Sequence, residues 1–101
     1  MSDPTDELLG DIDDTTRDVF DVASRRQARK KEGSRRNAYE KGIREVRRIA
    51  GNEQARELAE RIQADIRADE RFPSARRVRQ WGAEICRESG HEVSTGSWLG
   101  A

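Results

Sequence analysis

Residues 71–90 read RFPSARRVRQWGAEICRESG and predict a turn followed by one well-marked helix. Pro73 biases Phe72 away from helical backbone angles, and the Ser74 hydroxyl can accept a hydrogen bond from a free amide of the first turn. Gly90 stands where a left-handed residue commonly ends a helix. The stretch therefore predicts a helix that begins after Ser74 and ends before Gly90.

This predicted helix has an apolar side and a basic side. At about 100° per residue, the side suited to a core collects Val78, Trp81, Gly82 and Ile85. The opposite side carries Arg76, Gln80, Ala83 and Arg87, with Arg77 and Arg79 at its edges and Arg71 in the preceding turn. Arginine and glutamine are the side chains that bind guanine and adenine edges in the major groove of DNA. The alternative is a solvated surface face, since arginine is also a good helix former.

The residues before this stretch predict two further helices. Residues 37–50 carry an apolar stripe of Tyr39, Ile43, Val46 and Ile49 or Ala50, and residues 53–69 carry Leu58, Ala59, Ile62 and Ile66. We therefore predict a small all-α domain over residues 35–101, with three helices and a short C-terminal tail or wing. Its predicted core is Tyr39, Ile43, Val46, Leu58, Ile62, Ile66, Phe72, Val78, Trp81, Ile85, Val93, Trp98 and Leu99.

Charge is partitioned along the chain, although 20 basic and 20 acidic residues cancel to a net charge of zero. Residues 1–21 contain eight acids and one base, whereas residues 25–48 contain eleven bases and three acids. Leu, Ile, Val and Phe number 17 in 101 residues, which is too few for a core that includes the whole chain. We therefore predict that residues 1–34 form a mostly disordered arm, acidic first and then basic.

The basic part of the predicted arm is a candidate for phosphate contact, because each lysine or arginine can displace counterions from a nucleic acid. Its residues are Arg25, Arg26, Arg29, Lys30, Lys31, Arg35 and Arg36. One alternative is a solvated or nuclear-import-like patch. Another is a basic segment neutralised by the acidic segment of its own chain.

The acidic part of the predicted arm alternates acids with apolar residues, a composition found in interaction segments. We predict that it binds a protein partner as an amphipathic helix that forms on contact, through Leu8, Leu9, Ile12, Val19 and Phe20. A plain solubilising tail is the alternative.

The sequence contains cysteine, histidine, glycine and aspartate, but their spacing fits neither a catalytic site nor a metal site. Cys86 is the single cysteine and His91 the single histidine, so no zinc-site spacing occurs, and a cysteine nucleophile lacks its third group and oxyanion site. The glycines are isolated, and the aspartates at 11, 13 and 14 lack the spacing of a calcium loop. We therefore predict a protein that is not an enzyme and that uses no cofactor or metal.

Apolar runs are short throughout the sequence. None approaches the roughly 18 residues of a membrane span, and no signal-peptide pattern occurs. The expectation is an intracellular, cytoplasmic protein without a membrane partner.

Residues 55–85, ARELAERIQADIRADERFPSARRVRQWGAEI, resemble a helix-turn-helix DNA-binding unit. The resemblance, which extends to residue 88, implies a first helix ending near Asp69 and a recognition helix at about residues 75–88. It implies that this second helix faces DNA with Arg76, Arg77, Arg79 and Gln80. Pro73 in the connection, and the lack of a turn glycine, depart from the usual pattern. A rival alignment that starts the recognition helix at Ser94 leaves it only about two turns.

We expect a DNA-binding protein, sequence-specific or general, such as a small transcriptional regulator. Arg76, Gln80 and Arg87 are the residues expected to read bases, while the basic segment contacts phosphates. The alternative is a non-enzymatic interaction module or small assembly subunit that uses the acidic segment and the arginine-rich helices. Whether two copies pair as a homodimer is left open by the sequence.

Overall fold

A computed structural model of the chain describes residues 4–19, 22–69 and 72–100, and the side chains of residues 4–17, 35–68 and 72–100. These residues contain no strand, so the prediction of an all-α fold is confirmed. None of their helices combines the length and apolarity that crossing a bilayer requires. The elements are α1 (Pro4–Val19), α2 (Val22–Ala50), α3 (Asn52–Asp69), α4 (Ala75–Glu88) and a 3₁₀ turn (Trp98–Gly100).

The N-terminal region differs from the prediction, because residues 4–19 and 22–34 are helical rather than disordered. α1 begins with Pro4 at its first position and has Asp6 and Glu7 in its first turn, all of which suit a helix start. The described residues thus form four α-helices and not the three predicted.

The predicted domain boundary after residue 34 falls inside α2, which continues through Gly33 and Ser34. The residues around this pair are mainly arginine, lysine, glutamine and alanine, which are good helix formers. A single glycine costs a helix only about 1 kcal/mol relative to alanine, so it does not end one that is otherwise favoured.

α1 is part of the domain because its apolar side is buried, mainly against α3. Leu8, Leu9 and Ile12 are 7%, 2% and 2% exposed, and they belong to the main core cluster. The sequence predicted that these three residues bind a protein partner; in the structure they are instead buried in the chain's own core, against α3. Val19 and Phe20, assigned to the same role, lie outside the described side chains.

α2 is the longest element and runs the length of the molecule. Its 29 residues, at about 1.5 Å each, match the 42 Å long dimension of the structure. Gly51 ends α2 in the left-handed region, with φ of 102°, and its carbonyl accepts from Ala55 N at 3.1 Å to begin α3. The chain therefore reverses direction through one glycine, and α3 packs back along α2.

The predicted limits of α4 are confirmed. Ser74 is the N-cap, and its Oγ accepts a hydrogen bond from Arg77 N at 3.2 Å. After Glu88, Gly90 has a φ of 83°, and its N–H donates to the Arg87 carbonyl at 3.0 Å. Local capping chemistry thus positions the helix that carries the candidate site.

The predicted core is largely confirmed, since nine of its members lie in the buried cluster. Phe72, Trp81, Val93 and Trp98 are instead partly buried and pack against its edge. The cluster also contains the three α1 residues and small side chains that the prediction omitted, namely Ala55, Ala59 and Cys86.

α2 and α4 cross closely at two glycines. A Cβ at Gly42 would lie 2.7 Å from Val78 Cγ1, and a Cβ at Gly82 would lie 3.1 Å from Val46 Cγ2 and 2.6 Å from Leu99 Cδ2. These separations are shorter than side-chain carbons normally reach. Glycine at these two positions therefore allows α4 to pack close to α2 and to the C-terminal turn.

The turn between α3 and α4 is fastened to α2 by two hydrogen bonds. Tyr39 Oη donates to the Pro73 carbonyl at 2.9 Å, and Arg35 Nη1 donates to the Phe72 carbonyl at 2.7 Å. Burial raises the pKa of Tyr39 well above its ordinary value. The start of α4 is thus held by the middle of α2.

We expect stability to fall more steeply at high pH in the native chain than in Tyr39→Phe. Above the ordinary pKa of 10.0, the phenol ionises in the unfolded chain before it does in the folded one, so the folded state is disfavoured as pH rises. The difference in slope should approach about 1.4 kcal/mol per pH unit. Urea unfolding at pH values between 9 and about 11.5 measures it, and equal slopes would contradict the buried hydrogen bond.

Candidate nucleic-acid interface

The outer side of α4 carries the residues that the sequence predicted to read bases. Arg76, Gln80 and Arg87 are all exposed, and we call these three residues the α4 ridge. They lie opposite the buried residues Val78 and Ile85, as the helical period requires. The structure therefore brings the three together on one surface.

On the side of the ridge toward α3, charged and aromatic groups join the two helices. Trp81 lies between two guanidinium groups, with Arg61 at 5.6 Å and Arg77 at 5.8 Å from its ring. Arg77 also pairs with Asp65 at 3.6 Å, and Arg61 with Glu84 at 3.4 Å. Arg77, predicted to face DNA, is thus engaged at the boundary with α3.

On the other side of the ridge lies the C-terminal turn. The Arg79 guanidinium is 5.4 Å from the Trp98 ring, and the side chain is half-buried. Ser97 Oγ accepts hydrogen bonds from Leu99 N at 3.1 Å and Gly100 N at 3.3 Å, which hold the turn in shape. Arg79 therefore leans toward the tail rather than outward along the ridge.

An open groove of about 480 Å³ lies over the outer side of α4 beside the C-terminal turn, and the α4 ridge lines it. Ala83 and Leu99, both buried, supply its apolar part. Its lining residues are Arg76, Arg79, Gln80, Ala83, Glu84, Arg87 and Leu99. The groove thus combines three cationic side chains, one amide and one carboxylate.

The ridge arginines have no carboxylate partner among the described residues, unlike Arg44 and Arg48 of α2. Arg44 pairs with Glu40 and Arg48 with Glu45, each at 2.8 Å. Within the described part of the chain, neither Arg76 nor Arg87 lies within ion-pair distance of an acid. Both guanidinium groups are therefore available to an external anion.

The predicted phosphate-contacting set is only partly described. Arg36 pairs with Asp13 of α1 at 2.5 Å, and Arg35 is bound to Phe72, so both have partners within the chain. The backbone of Arg25, Arg26, Arg29, Lys30 and Lys31 lies on α2, but their side chains are outside the described set, as is all of Arg71.

The chain's cysteine and histidine do not form a site. Cys86 is buried, and this burial raises the pKa of its thiol, while His91 is exposed beyond the end of α4. A raised thiol pKa leaves little of the reactive thiolate at neutral pH. The described residues contain no cluster of three or more side chains able to hold a metal ion.

Sequence reasoning missed Glu84 and Arg61 at the candidate site. Glu84 follows Gln80 by one helical turn, so its place beside the ridge could have been found from spacing alone. Arg61 belongs to α3, and its contact with Glu84 depends on how two helices pack. No pattern within one helix indicates it.

The chain matches no protein-family model, no curated protein and no solved structure. The helix-turn-helix resemblance of residues 55–88 therefore stays a prediction.

Proposed function

We propose that this protein binds duplex DNA and places the α4 ridge in the major groove. The observation that supports this most directly is the pair of exposed arginines, Arg76 and Arg87, without an acidic partner among the described residues. An exposed guanidinium group has a planar array of donors that suits phosphate and guanine oxygens.

The dimensions of the ridge suit this ligand. A helix with its side chains is about 10–12 Å across, and the major groove is about 12 Å wide. Arg76, Gln80 and Arg87 are exposed on one side of α4, so they are the side chains that would reach base edges in this proposal. Gln80 can donate and accept at once, which is the pattern that an adenine edge requires.

In this proposal α3 supports α4 as the first helix of a helix-turn-helix unit. The contact of Trp81 with Arg61 and the ion pairs Arg77–Asp65 and Arg61–Glu84 connect the two helices. α2 contributes basic residues near its N-terminus for phosphate contact. The role that fits is a small, non-enzymatic transcriptional regulator that acts inside the cell.

The alternative, a module that docks on another protein through α1, loses its main support. Its apolar anchors Leu8, Leu9 and Ile12 are buried in the domain's own core. Exposing them to a partner would require opening that core.

The test of this proposal is the double variant Arg76→Ala/Arg87→Ala. We expect its affinity for duplex DNA to fall by at least about tenfold, because two charge-assisted contacts are lost. The slope of log affinity against log salt concentration should decrease by less than about 2, the value for two lost phosphate contacts, because these arginines contact bases in the proposal. Fluorescence anisotropy of a labelled duplex across a salt series measures both quantities.

A matched control is Arg56→Ala/Arg67→Ala, which makes the same change in net charge on α3. Both arginines are exposed and, among the described residues, have no carboxylate partner. We expect this control to keep nearly the native affinity and slope. Equal losses in the two double variants would show that only net charge matters, and no binding by the native chain at low salt would refute the proposal.

A further inference from the structure

Glu84 is the one acidic residue among those that line the groove beside the α4 ridge. We infer that Glu84 makes this surface selective for base sequence, by accepting a hydrogen bond from the amino group of a cytosine in the major groove. This inference rests on the DNA binding proposed above, and it names what the same surface recognises.

The position of Glu84 places its carboxylate where a base edge would lie. It follows Gln80 by four residues and precedes Arg87 by three, so it shares a side of α4 with both. Its side chain is 53% exposed and is paired with Arg61 at 3.4 Å. Arg61 in turn lies against Trp81, which holds the carboxylate at the edge of the groove.

Electrostatics separates the two ways in which this surface could contact DNA. A carboxylate beside the ridge is repelled by phosphates, so Glu84 weakens any mode that relies on backbone contact alone. A hydrogen bond to the carboxylate offsets this repulsion, and it forms only where the carboxylate faces a donor. Exocyclic amino groups of bases are the donors that the major groove offers.

Cytosine suits a carboxylate better than adenine does. The cytosine amino group has a neutral carbon edge beside it, whereas the adenine amino group lies next to the N7 acceptor, which repels a second acceptor. With arginines as donors, Gln80 as both donor and acceptor, and Glu84 as acceptor, the surface presents a mixed array. Such an array distinguishes base pairs, which a uniformly basic face does not.

The experiment is selection of bound sequences from a randomised duplex pool with the full-length chain. The native chain is compared with Glu84→Ala and with Glu88→Gln, a control that removes the same charge one turn further along α4. Glu88 is exposed and does not line the groove. Thermal melting of each variant checks that the fold is retained.

We expect the native chain and Glu88→Gln to enrich cytosine at one position of the selected site by about tenfold. Glu84→Ala removes both the charge and the acceptor, so it should lose that enrichment while preferences at other positions remain, and it should bind the unselected pool several-fold more tightly. A further variant, Glu84→Asp, keeps the charge but shortens the side chain. It should weaken the cytosine preference without tightening binding to the pool.

Three results would overturn the inference. If Glu84→Ala keeps the cytosine preference, or if the native chain has no preference at any position, DNA binding stands but Glu84 does not read a base. If Glu88→Gln loses the same preference, the effect belongs to net charge. If the native chain retains no duplex at low salt, the proposed function fails and the role of Glu84 fails with it.

Discussion

Leu9→Ala is expected to lower the free energy of unfolding by about 2–5 kcal/mol, the range for truncating a buried leucine. Leu9 is 2% exposed and packs in the same cluster as the core residues of α2, α3 and α4. A loss of this size is a large part of the total stability of a small domain. Chemical denaturation followed by circular dichroism measures it.

Asp11→Ala is the matched control, because Asp11 is exposed on the same helix. We expect it to change the free energy of unfolding by no more than about 0.5 kcal/mol. If the two variants unfold alike, α1 does not contribute to the core, and the prediction of a separate N-terminal arm would be restored.

Gly42→Ala is expected to destabilise the domain by up to about 2 kcal/mol. Alanine favours the helix by about 1 kcal/mol over glycine, but overpacking a core costs about 1–3 kcal/mol or more. The clash is with Val78 Cγ1 at 2.7 Å, on a β-branched side chain that cannot rotate away without leaving its rotamer. Because α2 and α4 must then separate, we expect the overpacking cost to exceed the gain in helix stability. The free energy of unfolding should therefore decrease.

Gly10→Ala measures the gain in helix stability from alanine in the absence of a steric clash. A Cβ at Gly10, inside α1, meets no atom within 4 Å. We therefore expect this variant to be stabilised by about 0.5–1 kcal/mol, opposite in sign to Gly42→Ala. Thermal melting of the two variants and the native chain gives both values, and destabilisation by both would show that the close approach of α2 and α4 is not the cause.

α4 could be predicted from the sequence because everything that defines it is local. Ser74 and Gly90 lie at its ends, and a single period places Val78 and Ile85 on the buried side. The same period separates the ridge residues from the core. These features need no knowledge of what the helix packs against.

α1 could not be predicted in the same way. Its stripe of Leu8, Leu9 and Ile12 is visible in the sequence, but the stripe alone does not say whether it covers this chain or another protein. The high density of acids favours disorder when composition is averaged over a segment. In the structure three buried side chains outweigh that average, because they cover a face of α3.

The individual partners of the arginines could not be predicted for a related reason, although neutralisation of the basic segment by the acidic segment was one alternative, and the Arg36–Asp13 pair fits it. Arg35 binds the Phe72 carbonyl 37 residues away, and Arg36 pairs with Asp13 at a separation of 23 residues. Such contacts depend on tertiary packing, so sequence charge counts overestimated how many cations face outward. The helical period placed Arg76, Gln80 and Arg87 correctly on the exposed side of α4, but it also placed Ala83 on that side, and the structure buries Ala83.

The stacking of arginines on indole rings gives the molecule an optical property. Trp81 and Trp98 are the only two tryptophans in the sequence, and each has an α4 guanidinium near its ring. Indole emission responds to a nearby charge, so the intrinsic fluorescence of this protein reports on the two edges of α4 rather than on the deep core. A ligand that draws Arg77 or Arg79 away from its ring changes the emission spectrum, and its arrival can be followed without a label.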